Sequence, residues 1–231
     1  MRAVFAKEIC QYRNSLAGAV FLAAYALMTG YFFTVGNLYQ QNGSVGSLFE
    51  SLLSMLMFLM PLLTMRLFAE EKKERTEQLL FTSPVSEKQV VWGKFLSAEC
   101  MFLLGSLPVV LAVCILAAYG CFEPLKTAGN LLSLVLAGSA FIAVGMLVSA
   151  LTQSQVVAAI VSYVLLLGLW LLGYALPYLP EGIVAEAVKY LSYRFHVQEL
   201  AAGVFRFSTL VYFLSLTGVC LELNCLAIER H

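Results

Sequence analysis

The stretch that decides the fold is residues 47–94, SLFESLLSMLMFLMPLLTMRLF-AEEKKERTEQLLFTSPVSEKQVVWGK, followed at once by FLSAECMFLLGSLPVVLAVCILAAY at 95–119. The first 22 residues carry two charges, Glu50 and Arg66, and the last 25 carry one, Glu99. Each run has the length and apolarity that a helix needs to cross the hydrocarbon of a bilayer, about 20 residues. Between them lies the most polar segment of the chain, with Glu70, Glu71, Lys72, Lys73, Glu74, Arg75, Thr76 and Glu77 in sequence. A charged excursion between two spanning runs predicts a loop that leaves the membrane and re-enters on the same side.

Four further apolar runs, at 16–36, 128–151, 156–179 and 208–228, complete six spans. Composition agrees: 61% of the 231 residues are hydrophobic and 12% charged, where a soluble domain carries about 25% charge. Fourteen Lys and Arg balance fourteen acidic residues, which leaves no basic excess for nucleic acid. All the acids are glutamate, so the aspartate common in magnesium–phosphate sites is missing. The predicted fold is therefore all-α and polytopic, a single transmembrane domain over 1–231. It divides into a leader helix (1–15), spans one and two (16–68), a polar loop (69–94), spans three to five (95–179), a return segment (180–206), and span six with its tail (207–231).

Basic residues orient the spans. With the N-terminus cytoplasmic, Arg2, Lys7, Arg13, Arg66, Lys72, Lys73, Arg75, Lys88, Lys94 and Arg230 lie inside, and Lys126, Lys189, Arg194 and Arg206 outside. Both termini are thus expected in the cytoplasm. The leader has no cleavage-site pattern. Its Val4, Phe5, Ile9 and Tyr12 recur at helical spacing, with Arg2, Lys7, Glu8 and Arg13 largely elsewhere, as a helix lying in the inner interface requires. The six cysteines, four of them in spans and none paired as Cys-x-x-Cys, read as small apolar residues.

Within the polar loop, Glu71 and Arg75 have the favourable i,i+4 order. Pro84 should end that helix, because the residue before proline is driven out of the α region. Ser86 and Gln89 form a capping-box pair that starts the next helix. The return segment 180–206 reads as two short helices, one carrying Ile183, Val184, Ala187, Val188 and Leu191, the second running over 196–205. They would dip into or cap the outer leaflet. Gly138 and Gly145 give the fourth span a small-residue face suited to close packing. Glu99 and Glu222 lie within spans, where a charge is costly. Asn224 is a candidate hydrogen-bond partner for Glu222.

The Glu70-Glu71-x-x-x-Arg75 spacing is similar to the first motif of the CAAX-type intramembrane proteases, but that chemistry needs histidines from other spans. Only His196 and His231 occur, and the charge count puts His196 across the bilayer from the glutamates. No metal or water could be shared over that distance, so no metal site is expected. There is no G-x-x-x-x-G-K-[ST] loop to bind ATP.

The run from Arg66 to Leu80, continuing Phe81-Thr82-Ser83-Pro84-Val85-Ser86 and ending Gly93-Lys94-Phe95, resembles the ABC-2 permeases, the membrane halves of type V ABC exporters. Their usual pattern there is F-A-x-E-x-x-x-G-T-x-E-x-L-L-x-S-P-V, with a Gly-Lys before the third span. Arg75 stands for the usual glycine. The run Leu191-Ser192, His196, Gly203 and 211–215 resembles the gliding-motility-like and copper-processing-like subgroup, without its aromatic after the histidine and its acidic pair before Val211.

The resemblance implies a permease, not an enzyme, in the plasma (inner) membrane of a prokaryote. ATP and Mg would be bound by a partner, a cytosolic ABC ATPase. The other partners would be a second permease chain, identical or paralogous, and the lipid bilayer. It implies coupling to the ATPase through a helix at 71–80, with Glu70, Glu71, Arg75, Thr76, Glu77, Leu79, Leu80 and Pro84 as its residues. Phe5, Lys7 and Arg13 would help hold the ATPase, and His196, Glu199 and Gly203 would belong to an outer lid. A non-transporting scaffold and an ion-coupled transporter are the alternatives; the latter would need midplane charge pairs and internal repeats.

Overall fold

The computed structural model describes residues 2–40, 44–74, 86–119, 123–175 and 182–229. These are almost wholly helical, with no strand among the described residues. In chain order the helices are α1 (Arg2–Asn14), α2 (Leu16–Phe32, prolonged by a π-helical stretch Phe33–Tyr39), α3 (Val45–Thr64), α4 (Ala69–Glu74) and α5 (Glu87–Gly105). They continue with α6 (Leu107–Ala118), α7 (Pro124–Leu151), α8 (Gln155–Ala175), α9 (Ile183–Leu191), α10 (Tyr193–Ala201) and α11 (Phe207–Glu229).

Six stretches are long and apolar enough to cross a membrane: Leu16–Tyr39, Val45–Glu74, Glu87–Ala118, Pro124–Leu151, Gln155–Ala175 and Phe207–Glu229. They match the six runs read from hydropathy, and the chain is a multi-pass membrane protein. α3 and α7 form the centre, with α7 packed on α3, α5, α8, α10 and α11. α2, α6, α8 and α11 turn large apolar side chains outward, among them Leu27, Leu111, Ile160 and Leu214. Lipid hydrocarbon is the solvent that such a surface suits.

The glycines of α7 explain how the centre closes. A Cβ on Gly145 would lie 2.2 Å from Thr64 Oγ1, and one on Gly138 would lie 2.3 Å from the Phe102 ring. The small face of the fourth span is therefore spent within this chain, on α3 and α5.

The third span is broken. α5 ends at Gly105 and α6 begins at Leu107, because Pro108 offers no amide and its ring crowds the preceding turn. Ser86 precedes the first residue of α5 as expected, but its side chain makes no cap bond; the turn is closed by its carbonyl, which accepts from the Gln89 and Val90 amides. The expected second helix of the return segment, 196–205, instead runs over Tyr193–Ala201. Gly203, at φ 81°, ends it: the Gly203 amide donates to Leu200 O and the Val204 amide to Glu199 O. This is the Schellman arrangement, in which a left-handed glycine stops a helix.

Candidate functional site: a buried ionic junction and a polar cluster at the opposite end

The polar loop was expected to hold the site. Its described part begins with α4, and α4 is gripped on three sides. From α7, the Ser149 hydroxyl accepts the Phe68 and Ala69 amides, both at 3.1 Å, and donates to Met65 O at 3.1 Å. Lys72 Nζ donates to Ala150 O. These bonds satisfy two amides that a helix start leaves without intrahelical acceptors.

From α5, Lys94 reaches into the same place. Its side chain is 1% exposed, and its ammonium meets Glu71 Oε2 at 2.9 Å, Glu8 Oε1 at 3.0 Å and Leu67 O at 2.6 Å. The Phe68 ring centroid lies 4.9 Å away. From α1, Lys7 donates to Glu71 Oε1 at 2.7 Å and lies 3.7 Å from Glu8 Oε1. Two ammonium groups and two carboxylates thus interlock, with no net charge. Such a cluster is tolerable in a dry site only when every member is paired. Partial burial pulls the Lys7 ammonium down, but its hydrogen bond to Glu71 and the charges of Glu71 and Glu8 outweigh this and hold it above the ordinary lysine value.

Of the predicted residues, Glu70 pairs with Arg66 one turn back at 2.5 Å. Glu71 enters the cluster. Arg75, Thr76, Glu77, Leu79, Leu80 and Pro84 lie outside the described residues. Phe5 is on the half-buried face of α1 and Arg13 on its exposed face. Glu8, expected away from the apolar face of α1, is instead buried beside Tyr12 because Lys94 and Lys7 neutralise it there. Neither Glu8 nor Lys94 stood out from sequence as a site residue. The available signal was the i,i+4 placement of Glu8 between Val4 and Tyr12, which puts the acid on the apolar face of α1.

The intramembrane candidates separate. Glu222 is 67% exposed, with Lys88 at 3.8 Å. Asn224 does not bond it: two residues along α11 it faces the opposite way, fully buried, and donates to Cys220 O at 2.8 Å. Glu99 receives the Ser139 hydroxyl at 2.9 Å, and its other oxygen is buried without a hydrogen-bond partner among the described residues.

At the opposite end, α9 and α10 cover the bundle. Gly129 of α7 lets α10 approach so closely that a Cβ there would stand 2.0 Å from Leu200 O. His196 is buried, with Nε2 3.2 Å from Tyr190 O and Nδ1 3.4 Å from Thr209 Oγ1. Its ring stacks on Tyr212 at 4.2 Å. Thr209 Oγ1 donates to Glu199 Oε2 at 3.1 Å, and Glu199 also holds Arg206 at 2.8 Å. Burial lowers the His196 pKa, against the Tyr190 hydrogen bond and the Glu199 charge, which raise it. Of the three expected lid residues, His196 and Glu199 share one network, and Gly203 is the helix stop beside it. A cleft of about 230 Å³ opens here, lined by Lys189, His196, Glu199 and Arg206 among others.

The two polar sites sit at opposite ends of a bundle whose six long helices are apolar enough to cross a membrane. The family model of the ABC-2 family transporter proteins matches residues 25–195, and the chain belongs to that family. No curated protein matches the chain. Membership makes it a permease-type subunit of an ABC transporter, as the resemblance implied.

Proposed function

We propose that this chain is the translocating subunit of an ABC exporter, driven by separate cytosolic ATPase chains that bind ATP and Mg. A second permease chain, identical or paralogous, completes the path. Both termini, α4 and the Lys94 junction face the cytoplasm, and α9 and α10 lie on the far side of the plasma membrane of a prokaryote. α1 lies in the inner interface. The charge count supports this orientation: the end bearing α1 and α4 collects most of the Lys and Arg residues.

The observation that carries the reading is the grip on α4. A loop that only connected two spans would need no buried ionic anchor. A loop that receives a push from a partner needs a stiff base, and here that base is bonded to α1, α5 and α7 at once. The ATPase would engage the segment beyond it, where Glu77 and Leu80 lie. ATP-driven closure of the ATPase pair would then move the spans as rigid bodies.

Purification of the tagged chain from its native host in mild detergent tests this. The expected result is a soluble ATPase in stoichiometric amount, lost from the double variant Glu77→Ala with Leu80→Ala. A chain that inserts correctly and brings down no ATPase in several detergents overturns the reading in favour of a scaffold or ion-coupled role.

A further inference from the structure

We infer that Lys94 is a positioning residue that makes α1 a moving part of the transporter, locking it to the base of the polar loop and to the start of the third span. The inference rests on the permease reading for its mechanical meaning, but the lock itself is a property of this chain alone.

An ammonium has three protons to donate. In Lys94 they go to three different parts of the chain: Glu8 on α1, Glu71 on α4, and the Leu67 carbonyl in the turn between α3 and α4. None of these bonds is local in sequence; Lys94 is 86 residues from Glu8 and 27 from Leu67. Glu71 is held from both sides, by Lys94 through Oε2 and by Lys7 of α1 through Oε1. α1 therefore reaches the one carboxylate of α4 by two routes, directly through Lys7 and by way of Lys94, which also holds Glu8.

Such a cluster behaves in an all-or-none manner. With all four charges present it is neutral; with Lys94 gone, the buried Glu8 and Glu71 are left to the half-exposed Lys7 alone, and one negative charge is uncompensated. A small tilt that lengthened one contact would strand charge in a water-poor site. The cheaper course is for α1, α4 and the first turns of α5 to move together. The Tyr12 hydroxyl, donating to Leu63 O at 3.0 Å, adds a neutral tie between α1 and α3 on the same side. A push delivered to the loop is thus passed to α1 as well as to the second and third spans.

The test is hydrogen–deuterium exchange on the full-length chain, purified with the ATPase its host supplies, with and without ATP. Wild type should show a nucleotide-dependent change over residues 2–14 accompanying the change in the loop 75–85. In Lys94→Met the loop should still respond and α1 should not. The triple variant Glu8→Gln, Glu71→Gln, Lys94→Met strands no buried charge, so it serves where the single change fails to fold, and it should show the same loss. A wild-type α1 response in the triple variant overturns the lock.

Absence of any nucleotide response in wild type, the loop included, counts against the permease reading instead. The lock is then judged on the isolated chain, where Lys94→Met or the triple variant should speed exchange in 2–14 and 69–74 together. Unchanged exchange in both segments overturns it.

Discussion

Ser149, near the end of α7, is the cap of a helix 80 residues away: its hydroxyl accepts the amide of Ala69, the first residue of α4, at 3.1 Å, and the Phe68 amide equally. Replacing it with alanine leaves both amides buried without an acceptor. A single unsatisfied buried group costs about 1–3 kcal/mol. Ser149→Ala should therefore lower the melting temperature in detergent by several degrees and open residues 65–74 to proteolysis first. A variant as stable as wild type would show that another acceptor replaces the hydroxyl.

Gly145 gives a second prediction, of packing rather than hydrogen bonding. Its neighbour Thr64 is fully buried, and that hydroxyl already donates to Met60 O, so it cannot swing away freely. Gly145→Val forces α3 and α7 apart at the centre of the bundle. Overpacking of this kind costs about 1–3 kcal/mol, and the variant should express poorly or aggregate on extraction. Gly168, whose added Cβ would meet nothing within 4 Å, should accept the same change with wild-type yield.

Glu99 invites a test that separates structure from transport. One of its oxygens has the Ser139 hydroxyl and the other has no hydrogen-bond partner among the described residues. A buried charge so poorly matched contributes little to stability. Glu99→Gln keeps the shape and the Ser139 bond, and should melt at or above the wild-type temperature. If transport falls while stability holds, the carboxyl is retained for function; if both hold, it is a tolerated packing residue.

His196 predicts a pH response of α9 and α10. Its Nε2 must carry a proton to bond the Tyr190 carbonyl, so in the neutral ring Nδ1 is an acceptor. The single proton of Thr209 cannot serve both Nδ1 and Glu199. Because burial holds the folded pKa below the ordinary value of about 6.5, the unfolded segment binds the extra proton more readily. Stability is full above that ordinary value and is lost as pH falls through it toward the lower folded value. Tyr212 stacks on the ring, and the charged groups that share its cleft are Glu199, Arg206, Lys189 and Glu186, with Tyr190 beside them. Protection from exchange over 183–201, taken relative to the intrinsic rate at each pH, should fall as pH drops below about 6.5 in wild type, and His196→Phe should lose that dependence.

The spans were legible because apolar length is a property of the residues alone. The fourth, read as 128–151, gained one turn at its start, since Pro124 suits a first helical position. The helices of the return segment were legible in kind, but their joint was not: the second was set to begin at His196, whereas Ser192 separates two helices that nearly touch. The junction at Lys94 was hidden for a different reason. Glu8, Glu71 and Lys94 are three ordinary charges beside three membrane boundaries, and only the folding of α1 back against α5 makes them one site. The Glu222–Asn224 pairing failed on geometry, because residues two apart on a helix point away from each other.

The break at Ser106 changes what the third crossing can do. Val109 and Val110 hydrogen bond no further back than Ser106, and Pro108 contributes no amide. On one side of this joint, α5 is bolted to α1 by Lys94; on the other, α6 rests on α2. The crossing is two helices set end to end rather than one rod, so its two halves keep separate company: the half that carries Lys94 belongs with the leader helix, and the half beyond Ser106 with the first span.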